Sequence, residues 1–183
     1  PFFVSTRPSI KTLAASSNCF HGTIPSQACN ITSFEVLSLD GLSTAKDCRK
    51  PIFAGSPLLT AFTLENSFIG GIPQCLFKMS NLRTLHLSGN DFTGTLPDDI
   101  NLSESLTDLT LSHNRLSGTI PRIFQERAWT NLDLSYNKLT GTLFNDFYAY
   151  DNSNQSLSLQ VNRLSGDIPT NLISAPSISL VDG

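Results

Sequence analysis

Apolar residues recur along this chain with two superposed periods. Leu82, Leu85 and Leu87 are followed by Leu106, Leu109 and Leu111, and those by Trp129, Leu132 and Leu134. Alternation within each run predicts a short strand with one buried face. A single coil cannot cover that face by itself, so its copies stack, and the pattern predicts a repeat solenoid.

The positions between the strands repeat as strictly. Taking Leu82 as position 1, position 9 is Asn18, Asn66, Asn90, Asn114, Asn137 and Asn162, and position 13 is Gly22, Gly70, Gly94, Gly118, Gly141 and Gly166. Position 15 is Ile or Leu throughout, and the next residue is Pro except at Phe144. A turn after each strand leaves amides and carbonyls away from water. A buried Asn carries the donors and the acceptor to satisfy them, which predicts an Asn ladder through the stack. Glycine suits a positive-φ position, and proline fixes φ where a second short extended segment ends.

Seven coils follow from these columns: 10–33, 34–57, 58–81, 82–105, 106–128, 129–153 and 154–177, forming one domain. Coil two departs most, with Leu42 at the Asn position and no Gly-x-Ile-Pro, and coil three is one residue short before Asn66. Coil six loses its proline and gathers Phe147, Tyr148 and Tyr150, with Phe147 at an apolar position that predicts core. Neither end shows a capping unit: Ile10 already opens a coil and Ile178 starts another strand, so a segment of a longer chain is expected.

The columns resemble the plant-type leucine-rich repeat, with LSGTIP at Leu116 to Pro121 and LSGDIP at Leu164 to Pro169. The resemblance implies a right-handed curved superhelix, with a concave parallel β-sheet, short second β segments and an irregular or 3-10 convex side. It further implies extracellular recognition, as in receptor-like kinases, receptor-like proteins and polygalacturonase-inhibiting proteins. The reading is a ligand-recognition module of a cell-surface receptor-like protein, binding a peptide, protein or glycan noncovalently, with a co-receptor as a further partner. The alternatives are a secreted inhibitor of a cell-wall-degrading enzyme and a structural wall or adhesion protein.

Composition narrows this further. A net charge of -3 with 12 scattered Lys and Arg gives no basic stripe for a phosphate backbone, so nucleic acid is not expected. No apolar run reaches the length of a membrane span within these residues. Cys19, Cys29, Cys48 and Cys75 match no metal or redox spacing, and four cysteines predict two disulfides in an oxidising compartment. Three connectivities are open. The similar positions of Cys48 and Cys75 in adjacent coils favour that pair, leaving Cys19 with Cys29. Asn30, Asn101 and Asn154 fit the glycosylation sequon, although their number is what chance gives for this many Asn, Ser and Thr.

Outward strand positions form the candidate ligand face. They are mostly small and hydroxylated, with larger groups at Arg83, His86, His113 and Tyr136 and carboxylates at Asp108 and Asp133. Asp108 and Asp133 lie on neighbouring strands, as a pair of catalytic carboxylates would, but an open sheet face does not dry or shift them. His86 and His113 could approach each other, yet no third ligand is apparent. Neither an enzyme, a metal nor any other cofactor is expected.

Overall fold

The computed structural model describes residues 10–18, 20–41, 67–149, 154–173 and 178–180. Its strands are β1 (Thr12–Ala14), β2 (Val36–Ser38), β3 (Ile69–Gly70), β4 (Thr84–His86), β5 (Asp91–Phe92), β6 (Asp108–Thr110), β7 (Ser117–Thr119), β8 (Asn131–Asp133), β9 (Lys138–Thr142), β10 (Ser156–Ser158), β11 (Arg163–Ser165) and β12 (Ile178–Ser179). Two 3-10 turns, Ser26–Asn30 and Gln74–Lys78, and two one-turn helices, α1 (Arg122–Gln125) and α2 (Thr170–Ile173), complete the coils.

One strand per coil enters a seven-stranded parallel sheet in the order β1-β2-β4-β6-β8-β10-β12, and the remaining strands form the sheets β7-β9-β11 and β3-β5. This is the solenoid that the alternating runs predict. Leu37, Leu85, Leu109, Leu132 and Leu157 stand in register across the long sheet and are at most 1% exposed. Each such side chain contributes roughly 2–3 kcal/mol by leaving water. Behind them Phe77 meets Phe124 edge-on at 6.0 Å, and Phe124 stacks on Trp129 at 5.9 Å. The Trp129 indole donates to the Phe124 carbonyl, so its polar edge is satisfied inside the core. Phe147 is buried, in the core role its position predicts.

The Asn column joins successive coils. Asn114 donates to the carbonyls of Leu111 in its own coil and Leu87 in the preceding one, and its Oδ1 accepts the Phe92 amide. Asn137 and Asn162 repeat the arrangement one and two coils later. Among the described residues Asn18 donates to Ala15 and Ser16 within its own turn. Asn66 lies outside the described residues.

Register overturns one expectation. A strand from coil 58–81 is expected between those of its neighbours, yet β2 pairs directly with β4, Val36 opposite Thr84 and Leu37 opposite Leu85. Residues 34–41 and 67–79 therefore share one turn of the stack. Asn90 shows why this closes: its amide donates to the Leu39 carbonyl while its Oδ1 accepts the Phe68 amide, so one side chain holds the backbone on both sides of 42–66. The outward positions Thr60, Ala61, Thr63 and Glu65 expected of that strand lie outside the described residues, as does Tyr150.

The expected cysteine pairing changes with it. Cys29 is bonded to Cys75, with Cα atoms 5.8 Å apart, because the two 3-10 turns are neighbours once β2 and β4 are. The pairs Cys48 with Cys75 and Cys19 with Cys29 are thus both replaced; Cys19 and Cys48 themselves lie outside the described residues.

Two departures from the repeat have local causes. Phe144 stands where proline is expected, and its amide donates to Oε1 of the fully buried Gln125, a bond that proline could not make. In the outer sheet Gly118 has φ +76°, and a Cβ there would fall 2.8 Å from Cγ2 of Thr95 in the preceding coil. That contact recurs between Gly141 and Thr119 and between Gly166 and Thr142, so glycine is required twice over, by φ and by space.

Candidate functional site: the exposed face of the long sheet

Alternation turns one side of every strand in the long sheet away from the core, and the register sets those side chains in rows. Leu85, Leu109 and Leu132 point inward, so Thr84 and His86, Asp108 and Thr110, and Asn131 and Asp133 point outward, all partly exposed.

The larger groups form three clusters. In the first, Lys11 pairs with Glu35 at 2.7 Å, and the Lys11 contact holds the Glu35 carboxyl below its ordinary range, with exposed Arg83 adding to the effect. In the second, Nε2 of His86 lies 3.0 Å from Oδ1 of Asp108. That same Oδ1 accepts from Asn131, whose own Oδ1 accepts the Ser156 hydroxyl, so a polar chain crosses β4, β6, β8 and β10. The neighbouring Asp108 carboxylate raises the His86 pKa against the opposing effect of partial burial. Burial alone would raise the Asp108 pKa, but His86 and Asn131 outweigh it and the carboxyl is held below its ordinary range.

The third cluster lies at the strand ends. His113 and Tyr136 stack with ring centroids 4.1 Å apart and planes 10° from parallel. Both have left-handed backbones with φ 53°, as does Val161 with φ 55°. Asp133 accepts the Ser135 amide and hydroxyl on Oδ1, at 3.0 and 2.6 Å.

The structure therefore sorts the candidate residues. His86 is joined to Asp108 rather than to His113, and His113 to Tyr136. Asp108 is opposite Asn131 and accepts its amide, and Asp133 accepts from Ser135. Among the described residues no group of three His, Cys, Asp or Glu could hold a metal ion, and no helix is long and apolar enough to cross a membrane. Sequence reasoning passed over Asn131 and Ser156 as chain members; the signal was their column, directly beside Asp108. Asp40, an outward position of the same face, gathers Ser16, Ser38 and the Ser88 amide. The sequons Asn30, Asn101 and Asn154 are all exposed.

Models of the leucine-rich repeat match residues 57–116 and 129–149. The chain is also similar to the Arabidopsis receptor kinase HAESA, solved in complex with the peptide hormone IDA and the co-receptor SERK1, with TM-score 0.70 and 28% identity over 94% of this chain and 25% of that one. Its fold is a repeat solenoid similar to plant leucine-rich-repeat ectodomains. A second neighbour, the plant peptide hormone receptor RGFR1 in complex with RGF2, gives TM-score 0.68 and 28% identity over 94% of this chain and 24% of that one. A plant ice-binding protein shares the fold alone, with TM-score 0.64 and 23% identity over 94% of this chain and 57% of that one. No curated protein matches the sequence. The chain spans about a quarter of the length of the two receptors.

Proposed function

We propose that this solenoid is an extracellular ligand-recognition module of a cell-surface receptor-like protein, and that it binds an extended peptide or protein noncovalently on the exposed face of the long sheet. The observation that carries the reading is the polar chain His86, Asp108, Asn131 and Ser156, fixed side chains facing outward across four adjacent strands. Such a row offers donors and acceptors at the strand spacing, about 4.8 Å, which an extended partner crossing the strands can follow. Two neighbours that are peptide-hormone receptors support a peptide as the ligand, and one solved with a co-receptor supports a second protein partner. The Cys29 to Cys75 disulfide supports an oxidising compartment. The exposed sequons Asn30 and Asn101 belong to the turns behind the sheet, where glycans leave the face open.

The test is a binding screen of the purified chain against an array of random twelve-residue peptides, repeated with Asp108→Asn and with Thr119→Ser in the outer sheet. Peptide binding that weakens about tenfold with Asp108→Asn, the size of a lost charge-assisted bond, and is unchanged with Thr119→Ser is the expected result. Binding that ignores Asp108 and follows Thr119, or an array that captures nothing, would overturn the reading.

A further inference from the structure

The column at the C-terminal ends of the long-sheet strands needs a left-handed backbone, which glycine adopts freely. Ser17 with φ 59° and Gly89 with φ 69° take it in two coils, and the three coils after Gly89 place the larger His113, Tyr136 and Val161 in that conformation. A left-handed backbone costs an L-residue roughly 1–2 kcal/mol, and it is least favourable for a β-branched one. No core packing repays this: His113 is exposed, Tyr136 is only partly buried, and Val161 is 43% exposed. What the conformation does is lay two stacked rings and an apolar side chain along the rim of the sheet.

Beside this shelf are acceptors awaiting donors. Asp133 takes both of its hydrogen bonds on Oδ1, from Ser135, and among the described residues no cation pairs with it. Gln160, next to Ser135 on the following coil and bonded through its carbonyl to the Tyr136 amide, holds a side-chain Oε1 that is enclosed and has no donor among the described residues. A buried carbonyl without a donor costs about 1–3 kcal/mol, so a ligand that supplies one removes a penalty.

We infer that the ends of β6, β8 and β10 form a subsite for the guanidinium of an arginine in an extended peptide, with Asp133 and Gln160 accepting its hydrogen bonds and the His113 and Tyr136 rings supporting its plane. Arginine fits where lysine does not: its five donors lie in one plane that reaches two acceptors together, and that plane stacks on an aromatic face. Its aliphatic stem would cover Val161. The subsite rests on the reading of this face as a peptide-binding surface and names the side chain it selects.

The probe is N-acetyl-arginine-methylamide, titrated into the folded chain while the ring protons of Tyr136 and His113 are followed by NMR, with the uncharged isostere N-acetyl-citrulline-methylamide as control. The arginine compound should shift both rings, and citrulline should bind about tenfold more weakly. Asp133→Asn keeps the Ser135 bonds and should abolish that difference. Tyr136→Gly relieves the backbone, keeps the fold and should weaken the arginine compound several-fold. Equal binding of the two compounds, or ring signals that move with neither, overturns the subsite. The peptide array separates this from the broader reading: peptides captured without preference for arginine refute the subsite alone, whereas an empty array beside a positive arginine titration refutes peptide recognition and leaves the subsite standing.

Discussion

The turns around β1 and β2 and those from β4 to β10 are built on one plan but held differently. From β4 onward each coil is fastened to the last by an Asn side chain bonded to both and by buried leucines in register, with a bridge from Thr95 to Ser117 and then paired outer strands from β7 to β11. At the other end, among the described residues, Asn18 bonds within its own turn, the outer contact is a bridge from Gly22 to Phe68, and a disulfide joins the neighbouring 3-10 turns. Where repeated noncovalent contacts thin out, a covalent one stands. Stability in a solenoid is local, a sum of nearest-neighbour terms, so different stretches of one chain can be held by different chemistry.

That contrast can be broken from either side. The largest effect is expected from Asn114→Ala, which strands the Phe92 amide inside the stack and takes one of two Asn donors from each of the Leu87 and Leu111 carbonyls; a loss of roughly 3–5 kcal/mol in urea unfolding is expected, concentrated in hydrogen exchange around β4 to β8. Cys29→Ser should cost about 2–4 kcal/mol, with exchange rising around β1 and β2 while β6 to β10 stay protected. Uniform loss of protection in both variants would show the chain to unfold as one unit and erase the distinction.

The smallest effect sharpens the comparison with pH. His86 has its pKa raised from the ordinary 6.5, so its contribution is complete below that value and is lost as pH rises through the higher folded value. Asp108 has its pKa lowered from 3.8, so its contribution is present above that value and is lost as pH falls through the lower folded one. The pair is therefore at full strength between about pH 4 and 6.5. The stability difference between the wild type and His86→Gln should be greatest in that window and shrink on either side. A difference that is flat with pH would show that the pair adds nothing.

Most of the fold is legible in the sequence because each column meets a local need. Strand alternation, the positive φ of Gly118 and the donors of Asn114 follow from the residue types alone. What is not legible is which of two successive strand-like stretches joins the stack. The runs near 36 and near 60 both alternate, and only the pairing of β2 with β4, contacts far apart in sequence, decides between them. The cysteine pairing failed for the same reason, since it was read from positions along the repeat and not from which 3-10 turns become neighbours. At the candidate face the individual residues were legible, but their partners were not. His86 could as well have met His113, and nothing in the letters shows that Tyr136 takes a left-handed backbone or that the Gln160 carbonyl is enclosed.

The two bonds of Asn90 carry an implication for how such a chain changes over generations. Because that one amide fixes the backbone at Leu39 and at Phe68, the coils that follow take their frame from those two points. Exchanging the sequence between them should leave that frame in place, and the entropy of closing a longer connection grows only slowly with its length. A scaffold of nearly interchangeable parts thereby gains one place open to novelty, and a chimera that replaces 42–66 while keeping Asn90 should preserve the register of everything after it.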